Sequence, residues 1–382
     1  MNKPKTEKAV IEGGCAAECR SYAREHFGAA YAVVCDGNTE SIARRAFPGD
    51  ALIVFPAGSH ATEQAAAGCI SRIKSDGLRG LIACGSGSVH DIARYAAHAE
   101  GIPFVSFPTA ASVDGFASGV AAMTWHGRKV TFPSSPPVAL FADDDVYSAA
   151  PRELLASGVG DIVGKFVSLF DWVFTSLLTS ETLEDEIYRL ESEALETVMH
   201  CGIASPDYPH GVMDCLVKSG LAIQLKGSSR PASGAEHHLS HLREMGCIGT
   251  PEHAYHGEQV GVSTLFVLDR YKSMPRPQLR AKPLNRALLR PIFGSLTEGI
   301  IEENTPDSLA EITQPMLDAN ADKTARLISE LPSSDEIREY LRSVGAKTTL
   351  TELGLPDTEE FIRKSLDWAP YVRRRLTYLK VI

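Results

Sequence analysis

The sequence predicts an α/β domain with a parallel sheet, followed by an all-helical domain. In the first third of the chain, short and continuously apolar runs alternate with helical patterns, which is typical of a parallel sheet covered by helices on both faces. Beyond Pro151 the patterns are almost only helical. A chain of 382 residues is longer than one hydrophobic core usually serves. We therefore expect an α/β domain at residues 1–150 and a helical domain at residues 151–382.

Each predicted element follows from apolar periodicity and from the turn residues that bound it. The predicted strands are residues 30–35, 51–55, 80–84, 103–107 and 138–142. The first predicted helices are residues 60–76, 88–100, 154–178, 181–201 and 210–225. Two further runs flank Trp125-His-Gly-Arg128 and predict a hairpin at residues 119–132. The remaining segments up to Ile382 have helical periods.

Composition excludes several classes of function. The net charge is −10, and no dense Lys/Arg patch precedes the C-terminus, so we expect no nucleic-acid partner. The run Arg373-Arg-Arg375 is interpreted as a solvated helix face. Apolar stretches reach about ten residues, too short to span a bilayer, and the polar N-terminus leads into no signal core. We expect no membrane insertion and a cytoplasmic protein.

A Gly/Ser turn follows the predicted strand at 80–84 and opens a helix. Glycine lets the backbone approach a phosphate closely, and a helix N-terminus offers free N–H groups and a positive dipole end. The turn therefore predicts a pyrophosphate site, although such a turn is often only structural. It lacks the third glycine of GxGxxG because His90 stands there. The predicted cofactor-binding residues are Gly85, Ser86, Gly87, Ser88 and Asp91.

A second polar turn follows the next predicted strand. It too lies at the carboxyl end of a parallel strand, where open α/β sheets bind ligands. Thr109 and Ser112 could donate hydrogen bonds to a ribose or a nicotinamide amide, and Asp114 could hold a substrate hydroxyl. The alternative is a capped turn in which Asp114 accepts from nearby backbone N–H groups.

Histidines concentrate in one window of the helical part. His237 and His241 are four residues apart, so a helix places both on one face. His256 opens a second segment, His256-Gly-Glu. Neutral imidazole is the commonest transition-metal ligand, and spacing alone leaves His238 and His253 as alternative ligands.

Asp161 supplies the third expected ligand. It lies among glycines and small apolar residues, where an unpaired carboxylate is costly to bury, although a helix-capping role is the simpler alternative. One carboxylate and two imidazoles leave a coordination position open for substrate, as in catalytic metal sites. The ligand types suit zinc, ferrous iron or nickel.

Together these segments resemble the glycerol-1-phosphate dehydrogenase branch of the superfamily that also holds iron-containing alcohol dehydrogenases, glycerol dehydrogenases and dehydroquinate synthases. The run Pro-Ala-Ser-Gly-Ala-Glu-His at 231–237 distinguishes this branch from glycerol dehydrogenases. The C-terminal segment 369–379 is similar to the family's last helix. The other matching segments are residues 85–95, 108–118, 157–165 and 256–261.

The resemblance implies a Rossmann-like nucleotide-binding domain and a metal-binding domain of the dehydroquinate synthase type. It implies NAD(H) or NADP(H) at the Gly/Ser turn, and Asp36 at the adenosine ribose, which suits NAD better than NADP. It favours Asp161, His237 and His256 as ligands over His238 and His253. It also implies one divalent metal, usually zinc and in some relatives nickel.

The implied reaction is reversible reduction of dihydroxyacetone phosphate to sn-glycerol 1-phosphate, with the metal as a Lewis acid. His241, one turn beyond His237, could relay the proton or bind the substrate phosphate. Lys165, Lys226 and Arg230 are the candidate ligands of the substrate phosphate, although Lys165 and Lys226 could equally be surface charges. Arg230 precedes His237 by seven residues, as a phosphate-site arginine does in the synthases. The alternatives are a polyol dehydrogenase, a synthase-type lyase or a non-catalytic nucleotide-binding protein. We expect a homodimer or higher homo-oligomer, with the active site in a cleft between the domains.

Overall fold

A computed structural model describes residues 4–279 and 283–382. Within these residues, six strands form one parallel sheet in the order β1-β8-β5-β4-β2-β3, and β6 pairs with β7 as an antiparallel hairpin. The strands are β1 Lys8–Ile11, β2 Tyr31–Asp36, β3 Ala51–Phe55, β4 Gly80–Gly85, β5 Phe104–Pro108, β6 Val120–Trp125, β7 Arg128–Pro133 and β8 Ala139–Ala142. The sequence therefore predicted the α/β class correctly, but it missed β1, a short edge strand that is half exposed.

Helices cover both faces of the sheet, and every residue of β2, β4, β5 and β8 is buried. This explains why those strands are continuously apolar in sequence. The helices up to residue 147 are α1 Ala16–Phe27, α2 Glu40–Ala46, α3 Glu63–Asp76, α4 Gly87–Glu100 and α5 Asp144–Tyr147.

The connections of the sheet define a switch point between β2 and β4. From β2 the chain moves outward to β3 at one edge, then returns to β4 and continues through β5 to β8 on the other side. At such a point the loops diverge and leave a crevice outside the carboxyl ends of the strands. Asp36, Gly85 and Pro108 end β2, β4 and β5, so the predicted cofactor turns lie along this crevice.

The rest of the described chain is helical. Its helices are α6 Arg152–Val163, α7 Lys165–Leu178, α8 Asp185–His200, α9 Tyr208–Lys226, α10 Ala235–Glu244, α11 His256–Ser273, α12 Arg286–Phe293, α13 Thr297–Glu303, α14 Gln314–Ala319, α15 Ala321–Glu330, α16 Ser334–Ser343 and α17 Glu359–Trp368. The predicted helix at 154–178 is interrupted at Gly164, where an added Cβ would lie 2.8 Å from a Val260 methyl. No helix among the described residues is long and apolar enough to cross a bilayer.

Contacts divide the chain into two compact units whose boundary differs from residue 150. The first unit consists of the chain up to Gly158 together with residues 196–229. The second consists of residues 159–195 and 230–382. The physical reason is packing of α9 against the turn after β5. A Cβ on Gly220 would lie 2.6 Å from the Asp114 carbonyl oxygen, so this glycine allows the helix and the turn to approach closely. Helical periodicity could not reveal that α9 belongs to the first unit, because its sequence pattern is the same as that of the neighbouring helices.

Candidate active site

The Gly/Ser turn of the first unit has the geometry of a phosphate cradle. Helix α4 begins at Gly87, directly after the buried strand β4, and Ser86 at its N-cap makes no side-chain capping bond. A Cβ on Gly85 would lie 2.6 Å from the Val89 side chain, so no larger residue fits there without displacing the helix. The first N–H groups of a 14-residue helix thus lie at the end of β4, where an anion is favoured by the helix dipole.

His90, which breaks the GxGxxG pattern, anchors this turn. Its Nδ1 lies 3.0 Å from the Ser86 carbonyl oxygen and its Nε2 lies 2.8 Å from Ser106 Oγ on β5. Burial, together with the charge of Arg94, lowers the pKa of His90 to about 3. A neutral imidazole therefore joins the turn to the sheet.

Asp36 is fixed at the carboxyl end of β2. Its Oδ1 accepts from the backbone N–H of Asn38 and of Thr39, each at 3.1 Å, and from Thr39 Oγ1 at 2.9 Å. Its Oδ2 accepts more weakly from Gly58 N, at 3.3 Å. Oδ1 therefore carries most of the local bonds, and Oδ2 keeps the greater capacity to accept a further hydrogen bond.

The turn after β5 holds the other predicted residues of the first unit. Thr109 is buried, and its backbone N–H donates to Gly85 O at 3.1 Å, which ties this turn to the phosphate cradle. Ser112 is buried, and its hydroxyl has no hydrogen-bond partner among the described residues. An unsatisfied buried hydroxyl is uncommon, so Ser112 is available to a bound ligand. Ser219 of α9 donates to Asp114 Oδ2 at 3.0 Å and orients that carboxylate.

Arg94 was not predicted, yet it positions both turns. Its fully buried guanidinium contacts Asp91 Oδ1 at 2.6 Å and donates to the carbonyl oxygens of Gly115 and Val120. Asp91, a predicted cofactor ligand, thus has its carboxylate engaged by Arg94. The helix of the phosphate cradle and the Asp114 turn are joined through one side chain.

The three expected metal ligands converge in the second unit. Asp161 on α6, His237 on α10 and His256 at the start of α11 each offer a ligand atom, and these atoms lie within 4.8 Å of one another. Asp161 Oδ1 lies 3.5 Å from His237 Nε2. Asp161 and His237 are buried, whereas His256 is partly exposed, so a bound ion would be reachable from one side.

Close helix packing makes this convergence possible. A Cβ on Gly160 would lie 2.2 Å from the Gly257 carbonyl oxygen, so α6 touches the first turn of α11 backbone to backbone. Asp161 and His256 are the chain neighbours of these two glycines. The glycines beside the ligands therefore set the separation of the ligands.

Two carboxylates that sequence reasoning missed support the histidines from behind. His237 Nδ1 lies 2.7 Å from Glu236 Oε1, and His256 Nδ1 lies 2.8 Å from Glu244 Oε1. A carboxylate accepts from an Nδ1–H, so in its neutral form each imidazole has the lone pair of Nε2 for a metal. This carboxylate–histidine pairing is typical of zinc sites.

The electrostatics of the site also suit a divalent cation. Burial alone would raise the pKa of Asp161, but Lys165, His237 and His256 hold it well below its usual range. Burial would lower the pKa of His237, but hydrogen bonds to Asp161 and Glu236 raise it to about 9. In the absence of metal, the ammonium and a protonated imidazole therefore balance the buried carboxylates. A divalent cation would supply that positive charge directly.

His241 lies beside the three ligands. Its ring centroid is 6.0 Å from that of His237 and 5.7 Å from that of His256. It also forms a second possible metal-binding group with Glu244 and His256. The former alternatives His238 and His253 belong to neither group.

Lys165 and Arg230 have structural contacts that do not favour the predicted phosphate role. Lys165 Nζ is buried 3.3 Å from Asp161 Oδ1 and 3.2 Å from the Ala232 carbonyl oxygen. Arg230 is 3% exposed, donates to the carbonyl oxygens of Leu376 and Asp171, and pairs with Glu181. Burial, which the sequence did not show, places both cations in the framework of the site.

Comparison with known proteins agrees with this architecture. Residues 10–151 match the family model of iron-containing alcohol dehydrogenase. The chain is 34% identical to glycerol-1-phosphate dehydrogenase [NAD(P)+] of Bacillus licheniformis, over 79% of this chain and 67% of that protein. It is 35% identical to the enzyme of the same name from Geobacillus stearothermophilus, over 78% of this chain and 70% of that protein.

Solved structures show the same fold. A probable glycerol dehydrogenase from Sinorhizobium meliloti superimposes with a TM-score of 0.65 at 16% identity, over 98% of this chain and 96% of that chain. Sulfoacetaldehyde reductase from Bifidobacterium kashiwanohense superimposes with a TM-score of 0.64 at 15% identity, over 100% of this chain and 94% of that chain. The sequence relatives show that the chain belongs to the glycerol-1-phosphate dehydrogenases of the iron-containing alcohol dehydrogenase family.

Proposed function

We propose that this protein catalyses the reversible, metal-dependent reduction of dihydroxyacetone phosphate to sn-glycerol 1-phosphate by NAD(P)H. The observation that carries the proposal is the convergence of Asp161, His237 and His256, with a carboxylate behind each histidine. Relatives named glycerol-1-phosphate dehydrogenase [NAD(P)+] support the choice of substrate. A phosphate cradle at the start of α4 supports the dinucleotide.

Asp161, His237 and His256 would hold the ion. The ligand set suits zinc, nickel or ferrous iron, and the family resemblance favours zinc. The ion, when bound, supplies Lewis-acid stabilisation of the negative charge that develops on the C2 oxygen as hydride reaches C2. Glu236 and Glu244 orient the imidazoles and strengthen them as ligands.

His241 is the proposed proton donor to the C2 oxygen. It lies next to two ligand histidines, and burial holds its pKa well below the usual range, so it is neutral near pH 7. A neutral imidazole carries one N–H and one acceptor nitrogen, so it can pass its proton to the C2 oxygen while the other ring nitrogen takes up a proton from solvent. Asp114, oriented by Ser219, is the proposed acceptor for the substrate hydroxyl at C1.

In the first unit, the N–H groups at the start of α4 would bind the pyrophosphate, and Thr109 and Ser112 would line the nicotinamide side. Asp36 would accept from a ribose 2′-hydroxyl, and its negative charge disfavours a 2′-phosphate. We therefore propose a preference for NADH over NADPH. The cytoplasmic location and the homo-oligomeric state remain predictions.

The test is reduction of dihydroxyacetone phosphate by protein that has been stripped with a chelator and reloaded with Zn²⁺ or Ni²⁺. We expect oxidation of NADH with either ion, faster than oxidation of NADPH, and sn-glycerol 1-phosphate as the product on chiral analysis. The Asp161→Asn variant should lose activity, whereas Asp357→Asn, at an exposed position, should keep it. Turnover of glycerol with NAD⁺ but none of dihydroxyacetone phosphate would instead indicate a polyol dehydrogenase.

A further inference from the structure

Two sets of possible metal ligands share one histidine. The first, called here the inner group, is Asp161, His237 and His256, and the second, the outer group, is His241, Glu244 and His256. In each group, one ligand atom from each residue lies within 4.8 Å of the other two. The proposed function places the ion in the inner group, so the geometry of the outer group needs an explanation of its own.

His256 can serve the two groups through different atoms of one ring. Its Nδ1 lies 2.8 Å from Glu244 Oε1 in the outer group, which leaves Nε2 for the inner group. Its ring centroid lies 5.2 Å from that of His237 and 5.7 Å from that of His241. A neutral imidazole has one N–H and one nitrogen lone pair, so in this form it binds an ion through only one of its nitrogens. The two groups are therefore alternative positions for one ion.

The outer group has dimensions close to those of a zinc site. Two donor atoms on a tetrahedral zinc ion lie about 3.4 Å apart, because each bond is about 2.1 Å long. The contact between Glu244 Oε1 and His256 Nδ1, at 2.8 Å, would open slightly around an ion. Separations of up to 4.8 Å within the group would shorten. Rotation of the side chains accomplishes both changes.

His241 provides independent evidence for a ligand at this place. The residue is only 8% exposed, and its Nδ1 has no hydrogen-bond partner in the part of the chain that the structure describes. Buried polar atoms in native proteins are nearly always hydrogen-bonded, so this nitrogen is suited to a bound ligand. Ser240 Oγ donates to Glu244 Oε1 at 3.1 Å and orients the carboxylate of the group. An imidazole and an oriented carboxylate favour a cation as that ligand.

The inner group is harder for an arriving ion to reach. Asp161 and His237 are buried, whereas the side chains of Glu244 and His256 are 10% and 31% exposed. Asp161 Oδ1 is also 3.3 Å from the Lys165 ammonium and 3.5 Å from His237 Nε2. An ion has to displace these contacts before it binds Oδ1. The more exposed outer group is thus the part of the site that an ion meets first.

We propose that His241, Glu244 and His256 form an outer binding position for a divalent cation, which the ion occupies before it reaches Asp161 and His237. On transfer, the ion leaves Nδ1 of His256 for Nε2, and the ring proton returns through solvent to the Nδ1 that donates to Glu244. His241 is then released for its role as proton donor. This inference rests on the proposed metal site but not on the proposed reaction, so zinc binding tests it without turnover.

The first experiment removes an inner ligand and measures whether the outer group still binds zinc. His237→Gln keeps the contact between Asp161 and Lys165, so the fold should be preserved. Competition with a chromophoric chelator should show one zinc ion per chain, bound more weakly than in wild type. Adding His241→Gln should weaken this residual binding by at least about 100-fold, because loss of a direct ligand exceeds the 10–100-fold effect of losing a supporting hydrogen bond. In otherwise wild-type protein, His241→Gln should leave zinc affinity close to wild type.

His253→Asn is the matched control. His253 is exposed in the loop between α10 and α11 and belongs to neither group, and Asn tolerates its positive φ of 49°. In the His237→Gln background, this control should leave the residual zinc affinity unchanged, which distinguishes the outer group from adventitious capture by a surface histidine. Asp161→Asn is a second background in which the same results are expected from His241→Gln and His253→Asn.

The rate of zinc uptake tests the order of binding. After rapid mixing of stripped protein with Zn²⁺, His241→Gln should take up zinc several-fold more slowly than wild type and His253→Asn, and should still reach one ion per chain. Equal uptake rates would overturn passage through the outer group. Residual zinc affinity that His241→Gln leaves unchanged in both backgrounds would overturn the outer position itself. A wild type that gives the expected zinc results but does not reduce dihydroxyacetone phosphate would remove the proposed reaction alone.

Discussion

Replacing Glu236 by Gln should weaken metal binding without breaking the fold. Glu236 is fully buried, and its Oε1 lies 2.7 Å from both His237 Nδ1 and the backbone N–H of Gly234. Gln keeps the size and one oxygen acceptor for these donors, but removes the negative charge. The imidazole of His237 then becomes a poorer metal ligand, while its orientation is largely retained.

The size of the effect follows from the bond that is weakened. A hydrogen bond to a charged group contributes about 1.5–3 kcal/mol, against about 1 kcal/mol for a neutral pair. The difference of about 0.5–2 kcal/mol corresponds to roughly a 2- to 30-fold change in the metal dissociation constant. Loss of a supporting carboxylate typically costs 10–100-fold in affinity or activity, so we expect about tenfold weaker binding.

The assay is competition between stripped protein and a chromophoric zinc chelator at fixed pH. Glu236→Gln and Glu244→Gln should each raise the zinc dissociation constant about tenfold. The control is Glu330→Gln, at an exposed position at the end of α15, which should bind zinc as the wild type does. Unchanged zinc affinity in Glu236→Gln, with the fold intact by circular dichroism, would refute the assigned role of the carboxylates.

Two other predictions concern packing and pH. Gly160→Ala places a Cβ 2.2 Å from Gly257 O, so it should destabilise by about 1–3 kcal/mol and weaken zinc binding by separating α6 from α11. The control is Gly68→Ala on α3, where the added Cβ would have its nearest neighbouring atom 3.8 Å away. In the same unfolding and zinc titrations, this variant should keep the stability and the zinc affinity of the wild type. The pKa of His90 falls from 6.5 to about 3 on folding, so its contribution to stability is present above pH 6.5 and is lost as pH falls below it. Between pH 6 and 4 the unfolding free energy of the wild type should fall by about 1.4 kcal/mol per pH unit more than that of His90→Gln. Denaturant unfolding at each pH measures both proteins. An equal fall in the two unfolding free energies would contradict a buried neutral imidazole.

The sequence was sufficient where the signal is local. Continuous apolar runs predicted β2, β4, β5 and β8 because buried parallel strands have no polar face. They also predicted β3, an edge strand that is only partly buried. The metal ligands could be proposed because Asp and His are uncommon in small, apolar surroundings, and the family motif then chose between adjacent histidines. β1 has four half-exposed or exposed residues and gave no such signal.

The sequence was insufficient where the answer depends on long-range packing. Glu244 supports His256 from a helix twelve residues earlier, and nothing in its local sequence distinguishes it from a surface glutamate. Lys165 and Arg230 were expected at a phosphate because they are cations near the motifs, but their burial fixes them to carbonyl oxygens. The different exposures of Arg373 and Arg374, which are adjacent in sequence, likewise could not be distinguished from a run of three arginines.

The central claim is that one metal ion at Asp161, His237 and His256 is required for hydride transfer to dihydroxyacetone phosphate. The most direct test is titration of chelator-stripped protein with Zn²⁺, measuring bound metal and NADH oxidation on the same samples. We predict that turnover rises linearly with zinc and reaches its maximum near one ion per chain, and that His256→Ala neither retains zinc nor turns over. Full turnover by the stripped protein, or by His256→Ala without bound metal, would contradict the account.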